Sequence, residues 1–203
     1  MTPLDSRIFG MPALRRLLAV LALALAVLFS SAGVASAQNW SLADPKSDVV
    51  TFTGDDETAV PAPNRRAGDV WRTSVSHTST TVVIRVTMQA IPTRDWMAFA
   101  QIRTPRTSFD LTQIKIGSDR GLSFTKTNGN GDEIRCRGKS SRIIGTALVF
   151  TVPRSCLGRP GSVRVGVGVA VFDNDMQIIH ADDALRRGIG LAALRLSPLI
   201  RRG

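Results

Sequence analysis

Two histidines, two cysteines and a set of acidic residues in turn-rich stretches carry whatever chemistry this 203-residue chain can perform. His180 stands just before Asp182 and Asp183, so an imidazole–carboxylate dyad for a small hydrolase is arithmetically available. No G-x-S-x-G marks a serine to complete it, and neither H-E-x-x-H nor a Cys/His zinc spacing occurs. Gly138-Lys139-Ser140 looks like the end of a phosphate-binding loop, but Glu133 occupies the place of its first glycine. His77 has no catalytic company.

The acidic residues say more. Asp44, Asp48, Asp55, Asp56 and Glu57 flank the first candidate strand, and Asn128, Asn130 and Asp132 alternate through a turn. Asp173, Asn174 and Asp175 follow a valine-rich strand, with Asp182-Asp183 close behind. Calcium takes six to eight oxygens, which loop carboxylates and carbonyls can supply. Asp173, Asp175, Asp182 and Asp183 are therefore candidate calcium ligands, with Asp48 as a partner from the N-terminal strand. The same residue types also form turns, by bonding the backbone two residues on. Glu133 breaks the full calcium-loop pattern where its glycine belongs. No other cofactor is implied.

Cys136 and Cys156 each end a predicted strand, and in an exported chain such a pair is expected to form a disulfide. Closing that loop contributes about 3 kcal/mol. A nucleophilic thiol would need a histidine context that the sequence lacks.

The elements that must position these residues read as strands. Thr81–Met88 alternates strictly, with Val82, Ile84, Val86 and Met88 on one face. In Ser162–Val171 the odd-numbered valines face one way while Gly166 and Gly168 face the other, so close packing is expected over the glycines. Further candidates are Val49–Phe52, Val70–Ser76, Trp96–Thr104, Ser108–Ile116, Leu122–Thr127, Glu133–Gly138 and Ala147–Val152. Asn128-Gly129 predicts a hairpin over 121–138. Ala184–Leu194 has the only helical hint, and Gly188 and Gly190 turn it towards a loop. Eight to ten short strands with such turn signals predict an all-β, antiparallel β-sandwich.

The sandwich follows a segment of another kind. Leu17–Phe29 is a run of thirteen apolar residues between Arg15-Arg16 and Ala35-Ser36-Ala37. That is the pattern of a cleaved signal peptide over 1–37, too short to span a bilayer by itself. It predicts a secreted or wall-associated product, residues 38–203, without an integral membrane span. A single domain is expected, with a core over about 45–182 and a tail over 184–203 ending in a solvated Arg201-Arg202-Gly203.

The whole chain carries a formal net charge of +10. Without Arg7, Arg15, Arg16 and Asp5 the balance is 23 basic against 15 acidic residues, so about +8 remains to attract anionic partners. No basic run exceeds two residues and no aromatic-interleaved basic motif occurs, which argues against nucleic acid. Trp96 reads as core, whereas Trp40 and Trp71 are the candidates for stacking on a sugar.

Phe150–Val167, with Asp44-Pro-Lys-Ser-Asp48, Glu133-Ile-Arg-Cys136 and His180-Ala-Asp-Asp-Ala, resembles a group of uncharacterised exported actinobacterial proteins of about this length. The D-P-x-x-D-V segment before alternating strands is also loosely similar to the start of carbohydrate-binding β-sandwiches of the family 9 and DOMON type. That resemblance implies a fold but no activity. No haem-ligand pattern accompanies it. The expectation is a non-catalytic binding module at the cell envelope, for a wall polymer, a glycan or an envelope protein. A His180 hydrolase and a calcium-dependent adhesion module are the alternatives.

Overall fold

Period-2 alternation needs two apolar faces turned towards each other, and the computed structural model satisfies it with two stacked antiparallel sheets. It describes residues 38–53, 56–127, 130–173, 176–189 and 193–203. The predicted signal peptide and Asp175 lie outside the described residues. In chain order the strands are β1 (Gln38–Ala43), β2 (Val50–Thr53), β3 (Asp56–Pro61), β4 (Val70–His77), β5 (Thr81–Met88), β6 (Asp95–Arg103) and β7 (Ser108–Ile116). They continue with β8 (Asp119–Lys126), β9 (Ser140–Ile144), β10 (Ala147–Pro153), β11 (Ser162–Asp173), β12 (Ile178–Asp183) and β13 (Ile200–Arg201). Among the described residues the only helical element is a 3-10 turn, Arg154–Leu157.

One sheet runs β1-β4-β5-β10-β9 and the other β3-β2-β12-β11-β6-β7-β8, with β13 added against β11. The predicted faces are the observed ones. Val82, Ile84, Val86, Met88 and Phe150 of the first sheet meet Ala98, Ala100, Ile102, Leu111 and the odd-numbered valines of β11 in one core. Trp96 is 3% exposed within it. Burying each of its Val, Leu, Ile, Met and Phe side chains contributes about 1.5–3 kcal/mol.

The glycines of β11 are covered, as their placement predicts. A Cβ at Gly166 would lie 2.8 Å from the Arg195 carbonyl oxygen, and one at Gly168 would lie 2.5 Å from the Phe99 ring. The C-terminal tail covers Gly166, and Phe99 of β6 together with Leu194 covers Gly168. The side chains of Arg201 and Arg202 are exposed, as expected, while the backbone of the tail is docked. Ser197 N–H donates to the Val165 carbonyl while Val165 N–H donates to Ser197 Oγ. Ile200 is buried, and Gly203 N–H donates to the His77 carbonyl. The reason is the edge of β11: β12 pairs it only from Gly168 onward and β13 only at Ser162 and Val163. Buried backbone groups between those points need partners, and the tail supplies them.

The predicted 121–138 hairpin is also corrected. β8 pairs with β7 through the Gly117-Ser118 turn, and residue 133 makes only an isolated bridge to Thr125. Beyond it the chain turns to bring Cys136 to Cys156, and the predicted disulfide is present. Its Asn128-Gly129 turn lies outside the described residues.

Candidate metal centre and basic cleft

The carboxylates that meet come from three separated pieces of chain. Asp44 and Asp48 lie in the loop after β1, Asp69 immediately precedes β4, and Asp182 is near the end of β12. Asp182 pairs in register with Val169, so it shares the inward face of the valine row. One carboxylate oxygen from each of Asp44, Asp48 and Asp182 lies within 4.8 Å of the others. Asp44 is 7% exposed, and Asp69 and Asp182 are completely buried.

Backbone donors hold one oxygen of most of these groups. Val70 N–H donates to Asp182 Oδ2 at 2.8 Å, Ser47 N–H to Asp69 Oδ2 at 2.7 Å and Gly188 N–H to Asp48 Oδ2 at 3.2 Å. Gln89 Nε2 adds a second bond to Asp69. The other oxygens have no hydrogen-bond partner: Asp44 Oδ2, Asp48 Oδ1, Asp69 Oδ1 and Asp182 Oδ1. No ion pair among the described residues reaches any of the four. Burial first, then the charges of Asp48, Asp183 and Asp69, push Asp44 up to about 8. Burial likewise pushes Asp182 up to about 9 against the Val70 hydrogen bond, with Asp48, Asp44 and Asp69 adding to the rise. Asp48 is raised too, mainly by burial.

This grouping differs from the one the loop pattern predicts. Asp182 and Asp48 are together, and Asp44 and Asp69 join them. Asp173 lies elsewhere, paired with Arg65 at 2.6 Å and Arg94 at 3.4 Å. Burial alone would raise its pKa, but the Arg65 hydrogen bond and charge, helped by His180, bring it below the ordinary carboxylate value. Asp183 points to the other face of β12, where Arg195 N–H donates to it at 3.0 Å and Arg186 pairs with it at 2.8 Å. Asp69 has no sequence signal beyond its place after Gly68. Asp44 belongs to the D-P-x-x-D segment, where its four-residue spacing from Asp48 was the available clue.

His180 is bound on both ring nitrogens. Its Nε2 contacts Asp173 at 3.3 Å and its Nδ1 contacts Thr51 Oγ1 at 2.7 Å. With Nε2–H donating to the carboxylate, Nδ1 accepts from the threonine hydroxyl. Neither Asp182 nor Asp183 bonds this ring, and no serine does among the described residues. Burial holds its pKa below the ordinary value. The contacts tie β2 to β12 and the end of β11.

The tryptophans do not form an open platform. A bulge between Val70 and Arg72 places both Val70 and Thr73 inward and leaves Trp71 half-buried. Lys46 stands over its ring at 5.2 Å and Arg72 at 5.3 Å, and its Nε1–H donates to the Met88 carbonyl. Trp40 packs against the core from β1.

At the opposite end of the β4–β5 hairpin, near the disulfide, the charge is reversed. The β6–β7 turn, the end of β8 and the loop after the 3-10 turn enclose a cleft of about 690 Å³. Arg106, Lys126 and Arg159 line it beside Thr104, Phe109 and Leu157, with no carboxylate in its wall. All three cations are exposed, as are Arg103, Arg135, Arg137 and Arg164 around them. Glu133 of this end is taken up by Lys139. Such a wall is suited to a ligand bearing several negative charges.

No helix among the described residues is long and apolar enough to cross a membrane. No family model, curated protein or solved structure matches the chain.

Proposed function

We propose that the protein is an exported, non-catalytic binding module whose disulfide-bonded end takes an anionic polymer of the cell envelope. The observation that carries this reading is the cleft in which Arg106, Lys126 and Arg159 face solvent with no carboxylate among them. The disulfide supports an oxidising compartment. A polymer with regularly spaced phosphates or carboxylates would meet several cations at once. Each cation close to an anionic surface contributes about 1 kcal/mol at physiological salt. Losing three of them corresponds to roughly 100-fold in affinity.

The test uses a purified polyglycerol-phosphate wall polymer, titrated at two salt concentrations. The triple variant Arg106→Gln, Lys126→Gln, Arg159→Gln is expected to weaken binding by about 100-fold. A control with the same charge loss, Arg85→Gln, Arg120→Gln, Arg142→Gln, removes exposed cations away from the cleft and should change it by less than about threefold. Equal losses in the two variants would reduce the interaction to net charge and overturn the cleft. Binding only to anionic vesicles would replace the polymer with a membrane surface.

A further inference from the structure

Three buried carboxylates, Asp44, Asp69 and Asp182, and the half-buried Asp48, each with an oxygen that has no hydrogen-bond partner, are costly. An uncompensated ionised group inside a protein needs a partner, and among the described residues no lysine, arginine or histidine forms an ion pair with any of the four. One carboxylate oxygen each of Asp44, Asp48 and Asp182 lies within 4.8 Å of the others, and two observations support a shared site there. Backbone N–H groups hold one oxygen each of Asp48, Asp69 and Asp182, fixing each side chain's orientation in the way that outer-shell donors fix metal ligands. Asp182 and Asp44 are more than nine-tenths buried, and each presents an unpartnered oxygen to the cluster.

We propose that Asp44, Asp48 and Asp182, with Asp69 beside them, bind one calcium ion. The donor set decides the metal. It is all oxygen, without the histidine or cysteine that zinc, copper or nickel sites favour. Magnesium keeps several waters and uses one or two carboxylates, whereas calcium accommodates many protein oxygens in an irregular shell. The ion would link the loop after β1 to the start of β4 and the end of β12, joining the two sheets where the core gives way to carboxylates. This site is independent of the basic cleft, so neither proposal stands or falls with the other.

The experiment is calorimetric titration of the full oxidised chain, stripped with chelator, with CaCl₂ and then MgCl₂. Thermal melts run in parallel in excess calcium and in EDTA. One equivalent of calcium is expected to bind and to raise the melting temperature progressively with concentration. Asp182→Asn retains an oxygen for the Val70 N–H and should weaken calcium binding by at least about 100-fold. Asp48→Asn is a second variant, in a half-buried loop position where the amide oxygen can still accept the Gly188 N–H, and should do the same. Identical melting in calcium and EDTA with no heat of binding would overturn the site. Calcium binding that survives both substitutions would place the ion elsewhere, and tighter binding of magnesium would overturn the choice of metal.

Discussion

Replacing Gly166 with alanine adds one methyl group at a point where the structure leaves no room. The new carbon would stand 2.8 Å from the Arg195 carbonyl oxygen, 2.9 Å from Leu194 Cβ and 3.0 Å from Leu196 Cδ2. The nearest atom is backbone, so no rotamer change relieves the contact. Relief requires the tail to lift, which lengthens both Ser197–Val165 hydrogen bonds. Overpacking of this kind costs about 1–3 kcal/mol, and a value near 2 lowers the melting temperature by roughly 4–8 °C for a domain of this size.

Gly161→Ala is the matched control. Nothing lies within 4 Å of its added carbon, and its φ is outside the left-handed region. There the same methyl should be neutral or stabilise by about 0.4–1 kcal/mol, by restricting the unfolded chain. Urea denaturation gives the two free energies, and amide hydrogen exchange at Ser197 and Val165 reports whether the tail has lifted. Stabilities within about 0.5 kcal/mol of each other would refute the reasoning. So would a destabilised Gly166→Ala protein whose Ser197 amide stays as protected as in the parent.

Two further outcomes follow from other parts of the molecule. Reducing the Cys136–Cys156 bond, which spans 20 residues of sequence, should cost about 3 kcal/mol and lower the melting temperature by roughly 6–12 °C. A reduced protein melting within about 2 °C of the oxidised one would contradict this. His77 is completely buried against the Ile200 carbonyl, and burial, with Arg154 and Arg202 nearby, holds its pKa below the ordinary 6.5. The folded state therefore binds fewer protons than the unfolded one, and this contribution is intact above about pH 6.5 and lost as the pH falls below it. The stability difference between the parent and His77→Asn, measured by urea denaturation at pH 7.5, 6.5 and 5.5, should shrink as the pH falls; a constant difference would remove His77 from the account.

The parts of this fold that were legible share a local cause. β5 and β7 announce themselves because a strand buried on one face must alternate, while β10 and β11, buried on both faces over much of their length, show as apolar and valine-rich runs. The close approach over Gly166 and Gly168 was legible as two missing side chains on one parity of a valine strand. The strands that escaped notice are those whose packing is not written in apolar residues. β1 and β9 are polar edge strands with few buried side chains. β12 reads as a polar turn, yet His180, Asp182 and Asp183 are all buried in it. Its pairing with β11 and β2 overrides what its composition suggests.

The sequence by itself determined the all-β class, the inward faces, the disulfide partners and the concentration of acidic residues in the stretches around β2 and β12. Tertiary structure alone decided which of those acids meet. Asp44, Asp48, Asp69 and Asp182 converge across more than a hundred residues because β12 is drawn between β2 and β11 while β1 and β4 close over them from the other sheet. Local spacing favoured Asp173 as their companion, but the register of β12 carries it towards Arg65 and His180 instead. The arginines and lysine of the basic cleft, without ion pairs among the described residues, likewise come from the β6–β7 turn, the end of β8 and the loop after the 3-10 turn, so only the folded chain could separate a positive end from a negative one.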